Sequence, residues 1–128
     1  MKTKLSMISV LALVLSCNAF AVDYKQLAGN YSLQVANVDA NTFHEELSIS
    51  DSGKVSLSLG SFDLSMGCAA DTSNLVDNVL SATLDCSYGS PYLLAIDFSK
   101  SDLKAKSFTA VVVSSSIEKP VVTNFVRE

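Results

Sequence analysis

Along most of this chain apolar and polar residues alternate with a period of two. In Leu47-Ser48-Ile49-Ser50 and in Val55-Ser56-Leu57-Ser58-Leu59 every second residue is aliphatic and the residues between are serines. Successive side chains of a strand point to opposite faces, so the pattern predicts two strands with an aliphatic core face and a serine face toward water. Asp51-Ser52-Gly53-Lys54 lies between them, short and polar, with a glycine able to take positive φ. The unit reads as a β-hairpin.

The same period recurs. Asn30 to Ala36 places Tyr31, Leu33 and Val35 on one face. Further rows are Phe62, Leu64, Met66 and Cys68; then Leu80, Ala82, Leu84, Cys86 and Tyr88; then Tyr92, Leu94, Ile96 and Phe98. Ser107 to Ser114 and Val121 to Val126 complete the set, rich in Phe, Val and Thr. With Gly60-Ser61 read as a bend, eight strands are expected. No segment carries a sustained helical period; Ala69 to Asn78 is expected to hold one helical turn at most. The connectors Asn37 to Asn41, Ser99 to Lys106 and Ser114 to Lys119 are short and polar. Pro91 and Pro120 stand at strand starts, where a missing N–H is tolerated. Short connectors between consecutive strands predict an antiparallel meander, which must close on itself or pack face to face. The expected fold is all-β, a small up-and-down barrel of about eight strands, with a β-sandwich as the alternative.

The two halves differ in their outward faces. The N-terminal hairpin shows serine, whereas the C-terminal strands are apolar on both faces. Leu93 and Ala95 lie opposite the Tyr92 row, Val111 and Val113 lie opposite Phe108, Ala110 and Val112, and Val122 lies opposite Val121 and Thr123. Valines suit strands and sit singly on many surfaces. A strand apolar on both faces is nevertheless usually covered on both, and no helix is predicted here to cover it. Leu93, Val111, Val113 and Val122 are therefore the candidate patch for a protein partner or a second copy.

The N-terminus follows a different rule. Met1-Lys2-Thr3-Lys4 is basic, and Leu5 to Cys17 is uncharged and mostly apolar, too short to span a bilayer. Ala19-Phe20-Ala21 then supplies the small residues of a cleavage site. This order reads as a secretory signal peptide over residues 1–21, followed by one domain over 22–128. Val14-Leu15-Ser16-Cys17 resembles a bacterial lipobox, with Leu15 large where a small residue is usual; cleavage there would leave Cys17 lipidated and the protein on a membrane. Soluble export to the periplasm or beyond is the expectation. Of three cysteines, Cys17 is removed or lipidated in either case. Cys68 and Cys86 remain as an even pair, expected to form a disulfide in an oxidising compartment.

Charge narrows the partners. The net charge is −4, and loss of Lys2 and Lys4 takes it to −6. Phosphate backbones and anionic lipid surfaces repel such a chain, so no nucleic acid and, without a lipid on Cys17, no membrane is expected. A basic protein, such as a secreted hydrolase, suits it better.

Candidate chemistries fail on spacing. His44-Glu45-Glu46-Leu47 begins like the zinc-protease motif His-Glu-x-x-His, but Ser48 stands at the second ligand position and the stretch leads into a strand. His44 is the chain's single histidine. Gly89-Ser90-Pro91 lacks the full nucleophile elbow, Gly-x-Ser-x-Gly. Asp71, Asn74, Asp77 and Asn78 do not match a calcium loop. Asp63, Asp85 and Asp97 fall on outward registers of different strands, where no paired acid and base is expected. No enzyme activity, cofactor or metal is expected.

Leu27-Ala28-Gly29-Asn30-Tyr31 resembles the Leu-x-Gly-x-Trp opening of the first strand in lipocalin-like (calycin) barrels, with Tyr31 in place of the tryptophan. That resemblance implies a barrel and carriage of a small apolar ligand. An eight-stranded barrel is just wide enough either to be filled by side chains or to hold one small ligand. Tyr31, Phe62, Tyr88, Tyr92, Phe98, Phe108 and Phe125 could line such a cavity, but in so short a chain they are expected to fill it. The leading expectation is a non-enzymatic binding or inhibitor module; a lipocalin-like carrier is the alternative.

Overall fold

A computed structural model describes residues 21–35, 44–61, 64–87, 89–115 and 119–128. The proposed leader, Cys17, Phe62, Asp63 and Tyr88 lie outside the described residues.

Among the described residues nine strands form: β1 (Gly29–Val35), β2 (His44–Ile49), β3 (Val55–Ser61), β4 (Leu64–Ala70), β5 (Asn74–Val76), β6 (Val79–Cys86), β7 (Tyr92–Asp97), β8 (Ser107–Ser114) and β9 (Val121–Arg127). All pairings are antiparallel. The ring runs β1-β2-β3-β4-β6-β7-β8-β9 and returns to β1, which makes a closed eight-stranded barrel with β5 as one extra strand. Barrel closure replaces two open sheet edges by hydrogen bonds. The expected hairpin is β2–β3, with Leu47 opposite Leu57 and Ile49 opposite Val55. Gly53 takes φ 93° in its turn, as the sequence required.

Three expectations need correction. Gly60 and Ser61 belong to β3, so the expected bend does not fall at them. Ala69 to Asn78 holds no helical turn: it contains the end of β4, all of β5 and a two-residue turn in which Asp77 and Asn78 take φ 51° and 67°. Both residues tolerate left-handed backbone better than most, and such a turn matches the twist of a hairpin. A short helix, α1 (Tyr24–Leu27), is also present. It is held by a reciprocal cap in which Asp23 and Gln26 each bond the other's backbone N–H.

β4 and β5 follow one another along the same edge of β6. Cys68 and Ala69 pair with Cys86 and Asp85, and Asn74 to Val76 pair with Ser81 to Val79. The chain uses one more residue between these pairings on β4–β5 than on β6, as a bulge does. The Cys68–Cys86 disulfide joins directly opposed residues on this junction.

The described inward side chains form one buried apolar cluster. Phe125, Phe108, Phe98 and Tyr31 meet at the α1 end, with Phe108 and Phe125 stacked at 5.4 Å and Tyr31 edge-on to both. Leu27 of α1 is fully buried beneath them, and its carbonyl accepts from the Tyr31 hydroxyl. The Arg127 guanidinium lies 5.1 Å from the Tyr31 ring centre. It donates to the Leu103 carbonyl at 3.0 Å and, at 3.4 Å each, to the Ala28 and Gln26 carbonyls. One cation thus stacks on the ring and ties the helix and the β7–β8 connector over this end of the barrel.

Candidate functional site

The regular alternation that fills the interior also determines what faces out. Along β8 exposure and burial alternate residue by residue, so Phe108, Ala110 and Val112 enter the core while Val111 and Val113 face solvent. On β7, Tyr92, Leu94 and Ile96 point inward and Leu93 outward. On β9, Thr123 and Phe125 are buried and Val122 is exposed. Leu93, Val111, Val113 and Val122 are therefore all exposed, at 56, 37, 43 and 50 % of their surface.

Strand pairing brings them together. Val111 sits beside Val122 on β9 and Asp97 on β7, and Asp97 sits beside Val79, itself beside Val76. A second row runs from Asn74 through Ser81 and Ala95 to Val113. Leu93 lies next along β7, where its backbone exchanges hydrogen bonds with Ser115: its N–H donates to Ser115 Oγ and its carbonyl accepts from Ser115 N. The outer face of β5 to β9 carries these apolar side chains with Ser81, Asp97, Thr109 and Asn124 interspersed among them. Between β5 and β8 it hollows into an open groove of about 500 Å³ that includes Leu93, Val113, Ser81, Thr83 and Ser115. Asp97 is the charge within this surface. Its carboxyl accepts from the Ser99 backbone N–H at 2.9 Å, which holds its pKa below the ordinary carboxylate value, with Ser99's side chain and Lys100 as lesser causes.

Val76, 64 % exposed, extends the surface and was missed by sequence reasoning. Leu75-Val76 is two apolar residues between polar ones, too short to show a period. The Asp77-Asn78 pair that follows was the usable signal, since that pair suits a two-residue hairpin turn.

The neighbouring outer face, from β1 across β4 to β6, is of opposite character. It forms an open groove of about 720 Å³ floored by Ser48, Ser56, Ser58 and Ala69, with the carboxylates of Glu46, Asp85 and Glu128 on its walls and no Lys, Arg or His in its lining. The two grooves meet at β6.

The residues considered for catalysis remain apart. His44 opens β2 opposite Gly60, Ser90 is exposed in the β6–β7 connector, and Asp85 is exposed on β6. Of the four considered for calcium, Asn78 is occupied: its Oδ1 accepts from Val22 N at 2.8 Å. Among the described residues no group of three or more His, Cys, Asp or Glu is placed to hold a metal ion.

At the end of the interior away from α1 the inward side chains turn polar. The Tyr92 hydroxyl donates to Ser114 Oγ at 2.9 Å, and Ser114 and Thr123 are buried. Glu45 pairs with Leu33 and Leu59 and shares the inward register of Leu33, Leu47 and Ile49. Burial raises its pKa above the ordinary glutamate value. The folded chain therefore holds this proton more tightly than the unfolded chain, and the resulting stability is complete below the ordinary value and lost as pH rises through the raised one. Glu45→Gln, which cannot ionise, is expected to leave stability unchanged near about pH 4 and to raise it near about pH 7.5. Urea unfolding at the two pH values measures this; equal effects at both would show that Glu45 is solvated.

Comparison with known proteins finds no matching family model, no matching curated protein and no matching solved structure.

Proposed function

We propose that this protein is an exported, non-enzymatic binding module that presents the outer face of β5 to β9 to a protein partner. The observation that carries the reading is an apolar surface exposed outside a barrel whose described inward side chains form a buried apolar core. Contiguous exposed apolar patches mark interaction sites when they are large, and an apolar centre with a polar margin is the usual anatomy of a protein interface. The disulfide suits an oxidising compartment. The negative net charge and the carboxylate-walled groove beside the patch favour a basic partner, drawn in at a salt-dependent rate.

The test is calorimetric titration of the exported chain against a panel of basic secreted hydrolases. A complex is expected whose formation slows with salt. Leu93→Lys and Val113→Lys should each weaken it by about tenfold or more, because a lysine head cannot be buried unpaired in an apolar contact. Both positions are exposed, so the melting temperature should not move. A wild-type chain that binds no protein, but takes an apolar fluorescent probe into its interior, would replace this reading with the lipocalin-like carrier.

A further inference from the structure

Ala21 is exposed, whereas Val22 is half-buried and packs against the core. The Val22 nitrogen donates to Asn78 Oδ1 at 2.8 Å. From there the fold is continuous, since Asp23 is the cap of α1. Asn78 is held from its own side as well. It occupies the second left-handed position of the β5–β6 turn, and its carbonyl accepts from Phe98 N at 2.9 Å. Its side-chain oxygen is thus a fixed acceptor aimed at the Val22 nitrogen.

Ala19-Phe20-Ala21 places the leader's cut at the very bond that precedes this contact. We propose that Ala21–Val22 is the processing site of this chain and that the α-ammonium created there docks on Asn78 Oδ1. The inference rests on the export reading and is independent of the partner surface. In hydrolysis by a leader peptidase, water supplies the hydroxyl that leaves Ala21 as a carboxylate. The C–N bond breaks, and the Val22 nitrogen takes up protons to become an ammonium. A neutral amide donor becomes a charged donor in the same seat. Hydrogen bonds from ionised donors are shorter and roughly twice as strong as neutral ones. Asp23 and Asp77, both exposed, are the sequence neighbours of the two partners and add favourable charge. Processing thereby completes the fold: the new terminus ties α1, which closes one end of the barrel, to the turn that carries β5.

The experiment exports the full chain with its own leader and examines the product twice. Intact mass is expected to correspond to residues 22–128. Labelling of the Val22 amine with an amine-reactive reagent at neutral pH, read on the N-terminal peptide, is expected to be slow, because a docked ammonium must first lose its proton. Asn78→Gly keeps the left-handed turn but deletes the acceptor, and should speed labelling by about threefold or more. Asn78→Asp puts a carboxylate in the same place and should slow it further. A chain that retains Ala21 moves the amine out of the seat, and Asn78→Gly should then have no effect on labelling. A product beginning with an acylated Cys17 overturns the processing site. A product that begins at Val22 but labels at the same rate in wild type, Asn78→Gly and Asn78→Asp overturns the docking alone and leaves the export reading standing.

Discussion

Cys68→Ala with Cys86→Ala is expected to cost this barrel about 3 kcal/mol and to open it along one seam, the chain-entropy value for a bridge that closes a loop of this length. The location matters as much as the magnitude. Around the ring each junction is held by four to seven register pairs, except β4–β6, where Cys68 meets Cys86 and Ala69 meets Asp85. A further backbone bond, Ser87 N to the Gly67 carbonyl at 3.0 Å, lies just beyond them. Among the described residues, the disulfide therefore spans the junction with the fewest register pairs. Its loss should lower the melting temperature by on the order of 15 °C for a domain of this size. Hydrogen exchange should show protection falling first in β4, β5 and the second half of β6, while β1, β8 and β9 keep theirs. A uniform loss of protection around the ring would mean that the bridge acts only on the unfolded chain and that the seam has no separate weakness.

That seam is also where the sequence stops being legible. The strands themselves follow from alternation, because most inward positions are aliphatic or aromatic and most intervening ones are polar, apart from Leu93, Ala95 and the valines of β8 and β9. Leu47, Ile49, Val55 and Leu57 are buried as their pattern demands, and Leu93, Val111, Val113 and Val122 are exposed because β7, β8 and β9 each place a larger or more strongly packed row inside. Alternation says nothing about which distant strands pair. Whether the meander closes as a barrel or folds over as a sandwich depends on β4 reaching β6 past β5, and β5 is too short to show any period. Helix α1 escapes for the same reason, since four residues contain barely one turn; its signal is the Asp23-x-x-Gln26 cap and not a hydrophobic stripe. At the candidate surface the four predicted residues were readable from strand parity. Val76 and the floor between β5 and β8 were not, because they exist only through the register of β5 on β6.

The largest single-residue effect is expected at Phe125, whose truncation to alanine should cost about 3–5 kcal/mol. Phe125 is fully buried at the centre of the aromatic cluster. It stacks on Phe108 and meets Tyr31 and Phe98 edge-on at 6.0 and 5.9 Å. Its strand lies between β1 and β8, where Leu33 and Phe108 are its direct neighbours across the sheet. Truncation removes partners from three rings at once. The closed ring limits how far the walls can move in to fill the space, so the cavity cost adds to the lost transfer free energy. Total stabilities of small domains are on the order of 5–15 kcal/mol, so the variant should sit near its unfolding midpoint under mild denaturant. Phe125→Leu keeps most of the volume and should recover more than half of the loss. The same pair of variants separates a binding module from a carrier. If the interior is filled, the wild type and Phe125→Leu should take up no benzene-sized ligand, whereas Phe125→Ala, stabilised by its own disulfide, should bind one in the new apolar cavity and regain stability with ligand concentration. A wild-type barrel that already gains stability from such a ligand, or a Phe125→Ala cost below about 1 kcal/mol, would show that the rings line a space and do not fill it.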